Sequence, residues 1–181
     1  MRRLGILLLA LAPVIGRCAG SSGSAPTRER LAGTTLIEGY PCCRYAHYHE
    51  DGSLKGSQLA RAHTIAGHRF PEGTWFWLSP TGTLENCWLP KDREIAGVRC
   101  KGGGKISVGF HPDGTLASVF LTEDTEIQGV PCEASVMAPV RFHPDGKLRE
   151  CRLAEDHVVD GERVPAGSTL RLDAGGRIER R

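Results

Sequence analysis

The 181-residue chain carries 23 Lys and Arg against 21 Asp and Glu, a formal net charge of +2 with histidine neutral. Setting aside Arg2, Arg3 and Arg17 leaves 20 against 21, and basic residues never gather in groups larger than two or three, which excludes a polyanion-binding protein of the nucleic-acid type. What remains beyond the N-terminal segment is about 150 residues, the length of one domain.

That N-terminal segment comes first in chain order. Arg2 and Arg3 precede a mostly apolar run over residues 4–15. The run has the length of a signal-peptide apolar region and is too short to span a bilayer as a helix. The stretch Val14-Ile15-Gly16-Arg17-Cys18 resembles the lipobox of bacterial lipoproteins, in which the cysteine is lipidated after cleavage. It departs from that pattern at Arg17, where a small residue is usual. The resemblance implies export, a signal peptide over 1–17, a lipid on Cys18 and attachment to a membrane. The alternative is a plain secretory signal cut near Ala19 or Gly20, with a secreted or periplasmic product. Residues 18–34 then read as a flexible tether, because 19–26 (AGSSGSAP) are small and polar.

From residue 35 onward the chain repeats itself. Residues 110–116 read FHPDGTL and residues 142–148 read FHPDGKL; weaker copies are YHEDGSL at 48–54, LSPTGTL at 78–84 and LDAGGRI at 172–178. A second mark ends in Gly39, Gly67, Gly97, Gly129 and Gly161, spaced 28, 30, 32 and 32 residues apart. A fixed period in this range means stacked supersecondary units. Within one unit, Ile106, Val108 and Phe110 alternate with small residues, the period of a half-buried strand. Pro112 and Asp113 suit the central positions of a type I turn, and Gly114 suits the positive φ that follows; Gly52, Gly82, Gly146 and Gly176 hold the same place. Residues 116–121 return as a second strand. Ile127 and Val130 bracket Gly129 in a short third strand, where the glycine suggests a bulge or a close approach to another backbone.

No helix start or stop pattern occurs after residue 35. The expected fold is therefore all-β over 35–181: four to five stacked copies of an antiparallel hairpin repeat of about 31 residues, forming an elongated twisted sheet, with a rolled or solenoid form as the alternative. The aromatic-x-x-D-G-x-L hairpins resemble MORN-type repeats, most of all the MORN-like repeats of bacterial proteins often labelled as antitoxins. That resemblance implies β-hairpin architecture and a binding or scaffold role. An antitoxin role is not carried over, because an exported protein would not meet a cytoplasmic toxin.

Seven cysteines are present. With Cys18 assigned to the lipid or the signal, Cys42, Cys43, Cys87, Cys100, Cys132 and Cys151 remain, an even number that suggests disulfides in an exported chain. The nearest partners in sequence are Cys100 for Cys87 and Cys132 for Cys151. Zinc is the weaker reading, because no C-x-x-C pair exists. Cys87 and Cys151 fall five residues after a turn glycine, two before Leu89 and Leu153, so both face the core.

Few residues offer chemistry. His49, His111 and His143 share one repeat position, with Ser79 in the second copy. His47 and His49 alternate along a strand and form the best local metal candidate, with Cys43 nearby. Asp51, Asp113 and Asp145 stand alone beside a glycine and read as turn formers rather than calcium ligands. Nucleophile-elbow, H-E-x-x-H and P-loop patterns are absent. Trp75, Phe76, Trp77 and Trp88 are the one aromatic concentration, with Trp75 and Trp77 on the strand face opposite Phe76. One face belongs to the core or a neighbouring strand; the other is available to a ligand, glycan or protein. The expectation is a non-catalytic repeat protein of the cell envelope with no cofactor. An enzyme or metal-binding module assembled from several repeats is the alternative.

Overall fold

The computed structural model describes residues 27–179. The expected signal peptide, Cys18 and the first part of the expected tether lie outside the described residues. Among the described residues the chain is all-β, and its strands run antiparallel in one large open sheet and four small hairpins. The large sheet has the order β1 (Arg28–Arg30), β3 (Tyr40–Tyr48), β4 (Leu54–Leu59), β7 (Trp75–Leu78), β8 (Leu84–Trp88), β11 (Ser107–Phe110), β12 (Leu116–Val119), β15 (Val140–Phe142), β16 (Leu148–Arg152) and β19 (Thr169–Arg171). A further strand, β2 (Thr35–Ile37), pairs with the start of β3. The sheet does not close into a barrel. Arg28–Arg30 pairs with residues 45–47 of β3, so part of the segment that composition assigns to the tether is a strand of the sheet.

Each repeat contributes two neighbouring sheet strands joined by the turn whose glycine is at positive φ. In the best copy, the His111 amide donates to the Thr115 carbonyl, the Gly114 amide donates to the His111 carbonyl, and Gly114 has φ +85°. Asp113 Oδ1 accepts from the amide of Thr115 at 2.9 Å and from its hydroxyl at 2.6 Å. Asp51 does the same for Ser53. These aspartates hold turns, which is the role their spacing indicates.

The sequence reading of a third strand is corrected. Residues 125–132 form two strands, β13 (Thr125–Ile127) and β14 (Val130–Cys132), with Ile127 opposite Val130. Gln128 and Gly129 make the connection at φ +53° and +84°. A two-residue hairpin whose central residues both have positive φ matches the strand twist, and glycine at the second position makes it accessible. Ala66-Gly67, Ala96-Gly97 and Asp160-Gly161 repeat the device, and Glu38-Gly39 does so between β2 and β3. The corresponding hairpins are β5 (His63–Ile65) with β6 (His68–Phe70), β9 (Arg93–Ile95) with β10 (Val98–Cys100), and β17 (His157–Val159) with β18 (Glu162–Val164).

These hairpins supply the second layer of the core. Ile65, Phe70, Ile95, Cys100, Ile127 and Cys132 from the hairpins join Phe76, Leu78, Cys87, Val108, Val119 and Cys151 from the sheet in one buried cluster. The Phe70 and Phe110 rings meet edge to face at 6.0 Å, and the His68 ring lies 5.3 Å from Phe110. The inner face of the sheet is thus covered. Its outer face keeps the alternate residues, and along β7 Trp75 and Trp77 are half-buried while Phe76 and Leu78 are fully buried.

Candidate functional site

One row of outward positions runs across the sheet from β3 to β19. Pairing follows His47, Gly56, Trp77, Asn86, Gly109, Ser118, Arg141, Glu150 and Arg171, one residue from each successive strand. Its chemistry changes along its length. The far end is a charge ladder, with Arg171 Nε 2.7 Å and Arg141 Nε 3.7 Å from opposite oxygens of Glu150. The middle is small and neutral. The near end is aromatic.

The aromatic end is built by a glycine. A Cβ added at Gly56 would come 3.0 Å from Trp77 Cδ1 and 2.6 Å from the Phe76 carbonyl oxygen, so the Trp77 indole lies against the strand where a side chain is missing. An aromatic ring covering a cross-strand glycine is a recognised way to stabilise such a pair. Trp75 is near-parallel to Trp77, with 24° between planes and 6.0 Å between centroids. Trp88, directly opposite Trp75, leans on Trp77 at 4.2 Å. His47 meets the edge of Trp75 at 6.3 Å, and Lys105 Nζ sits 6.0 Å from the Trp88 ring. The two faces that the sequence assigned to this strand are therefore both seen: Phe76 faces the core and the tryptophans face out.

Trp77 also borders an open cleft of about 900 Å³ lined by Arg28, His47, His49, Asp51 and Lys55, among others. Burial, with the charges of Arg28 and Lys55 adding to it, holds the His47 imidazole below its ordinary pKa. Arg28 is itself fixed over the Tyr45 ring at 4.0 Å. Gly56, Arg28, Lys55 and Lys105 were not singled out from the sequence. The signal for Gly56 was present in register, since a glycine in strand interior marks a close approach, but register depends on pairing.

The other sequence candidates have structural partners. His49, His111 and His143 each donate from Nε2 to a main-chain carbonyl of the next repeat: Leu78 at 3.0 Å, Phe142 at 3.0 Å and Leu172 at 2.9 Å. They are ties between turns. No group of three or more His, Cys, Asp or Glu side chains is arranged to hold a metal ion among the described residues, so the pair His47 and His49 gains no third ligand from Cys43. His47 and His49 do line the same cleft, although a register shift falls between His47 and Tyr48.

No disulfide joins the six described cysteines, which are free thiols. Five are buried and Cys43 is half-buried. Burial pushes the Cys87 thiol well up, with Cys100 close enough to add to it, and pushes Cys100 up to about 12. Cys132 is held up by its hydrogen bond to Cys151 and by burial. Cys87 and Cys151 lie in the core as their spacing from the turn glycines requires.

No protein-family model matches the chain, and no curated protein matches it. Among solved structures, alternansucrase in complex with isomaltononaose aligns over 82% of this chain at 12% identity, with a TM-score of 0.12. The chain spans 15% of that structure's length, and a likeness of this size carries no argument about fold or function.

Proposed function

We propose that this chain is an exported, non-catalytic repeat protein that binds a component of the cell envelope through the aromatic end of its open sheet face, and that it is held there by a lipid on Cys18. The observation that carries the reading is the cluster of Trp75, Trp77 and Trp88 on the uncovered face, beside a polar cleft. Indole surface left half-exposed in this way, rimmed by polar groups, is the composition of a binding site. Further support comes from the groups that chemistry would need. The repeat-position histidines are tied to carbonyls, the turn aspartates hold backbone amides, and five of the six described thiols are buried.

In an oxidising compartment we expect Cys132 and Cys151 to close first, because these two buried thiols act on each other more strongly than on any other group. Thiol counting on exported material under denaturing, non-reducing conditions tests this; six free thiols would show that no bridge forms. The binding reading is tested by incubating the full chain with isolated cell envelopes, where Trp77→Ala should abolish retention. The anchor is tested by fractionation: Cys18→Ser should move the protein from the membrane to the soluble fraction, and an unchanged distribution would leave plain secretion.

A further inference from the structure

We infer that the ligand of the aromatic end is a linear polysaccharide of uncharged pyranose rings, laid across the outer face of the sheet from Trp77 toward Ser118. The inference rests on the binding role proposed above and names its ligand. A pyranose has a flat C–H face and a rim of hydroxyl groups. A site for it needs aromatic plates that keep part of their surface open to solvent together with polar side chains at their edges; here Trp75, Trp77 and Trp88 are half-buried, and Asn86 pairs with Trp77. Trp77 is pressed onto Gly56 and Trp75 runs nearly parallel to it, so the plates are fixed by the sheet rather than by flexible chain. Holding the rings rigid lowers the ordering cost of binding.

The surroundings select against other ligands. A cation would compete with Lys105, which already lies over the Trp88 ring, and would meet Arg28 and Lys55 at the cleft. A polyanion would find those cations offset by Glu50 and Asp51 in the same cleft. A lipid surface needs aliphatic side chains around the indoles, but the neighbours along the row are Asn86, Gly109 and Ser118. Among the described residues, the large exposed aliphatic side chains lie elsewhere: Leu36 in β2 at the margin of the sheet, Val158 in a small hairpin, and Val136 and Met137 in a loop.

The middle of the row extends the site. At Gly109 an added Cβ would fall 2.5 Å from Ser118 Oγ, so the surface there has no side chain taller than a hydroxymethyl group. The middle of the face thus carries low side chains at Gly109 and Ser118, between the tryptophans and the Arg141–Glu150–Arg171 ladder. Strands advance about 4.8 Å each across it, a step close to the length of one sugar ring. A chain of several rings therefore matches the span from Trp77 to Ser118, with Asn86 and Ser118 placed to meet its hydroxyl groups.

The test uses the full chain against three insoluble or soluble polymers, cellulose, chitin and dextran, with tryptophan emission read during titration with the matching hexasaccharides. Saturable binding to at least one, with a change in emission, is expected. Trp77→Ala and Trp75→Ala should each weaken it about tenfold or more, while Trp77→Phe stays within about threefold. Circular dichroism and the thermal midpoint of each variant separate lost binding from lost folding, and the more peripheral Trp75→Ala keeps the test decisive if Trp77→Ala unfolds. Absence of binding to all three polymers, or binding unchanged in both alanine variants, overturns the inference. If isolated envelopes still retain the protein in a Trp77-dependent way while all three polymers fail, the glycan assignment falls and the binding role stands. Failure of envelopes and polymers alike removes both.

Discussion

His111 donates from Nε2 to the carbonyl oxygen of Phe142, 3.0 Å away, and so ties the turn of one repeat to the strand end of the next. A carbonyl only accepts, so the proton must be on Nε2. His49 to Leu78 and His143 to Leu172 repeat the tie. His111→Ala should therefore lower stability by about 1 kcal/mol, the net value of a partly buried hydrogen bond, and His111→Gln should recover part of it. Denaturant unfolding measures both. Equal midpoints for the wild type and His111→Ala would show that the tie adds nothing.

Acid should act through the turn aspartates. The hydrogen bonds that Thr115 gives Asp113, from hydroxyl and amide, hold its carboxyl below the ordinary value of 3.8, and the bonds from Ser53 do the same for Asp51. The Lys147 amide lowers Asp145. A group whose folded pKa is depressed contributes stability that is fully present above its unfolded pKa and is lost as pH falls through the folded value. The thermal midpoint should accordingly be flat from neutrality to about pH 4.5 and drop below about pH 4. Asp51, Asp113 and Asp145 replaced together by Asn should flatten that acid limb. The same limb in the triple variant would mean that other groups control it.

The two kinds of glycine turn should respond differently. Gly114 has φ +85°, and an added Cβ would lie 3.1 Å from the Ala66 Cβ, so Gly114→Val combines backbone strain with crowding and should cost about 2–3 kcal/mol. Ala96, by contrast, is an alanine at φ +50° in a two-residue hairpin turn. Ala96→Asn should raise stability by a few tenths to about 1 kcal/mol, because Asn tolerates the left-handed region far better. Thermal scans of the two variants should move in opposite directions; a lower midpoint for Ala96→Asn would count against the turn geometry.

The thiols should be inert in the folded, reduced protein. Cys100, at about 12 against a reference of 9.0, has roughly a thousandfold smaller thiolate fraction near neutrality than a free thiol. Labelling of Cys87 and Cys100 should follow global unfolding, read by mass spectrometry after timed exposure to iodoacetamide. Cys151→Val should cost less than about 1.5 kcal/mol, since Val119 fills the same repeat position one copy earlier. Leu153→Ala, wholly buried beside it, should cost about 2–5 kcal/mol. Fast labelling of Cys100 in native buffer would contradict its burial.

Much of this protein follows from local rules that act within a few residues. The alternation along residues 106–110 and the turn chemistry of Pro112-Asp113-Gly114 specify hairpins, and a period near 31 residues specifies their stacking, because both depend on neighbours in the chain. The opposite faces of Phe76 and Trp77, and the core position of Cys87, follow from the same two-residue period. The Gln128-Gly129 hairpin was misread as one strand with a bulge, since glycine alone does not reveal that its predecessor also adopts positive φ. Of the candidate site, the tryptophans and their outward face follow from that two-residue alternation, whereas their neighbours depend on tertiary structure. Gly56 meets Trp77 across 21 positions of sequence, and Asn86, Gly109 and Ser118 fall into one row, only because strand register aligns them. Which sheet face remained open was likewise decided by where the small hairpins packed, and no period in the sequence encodes that choice.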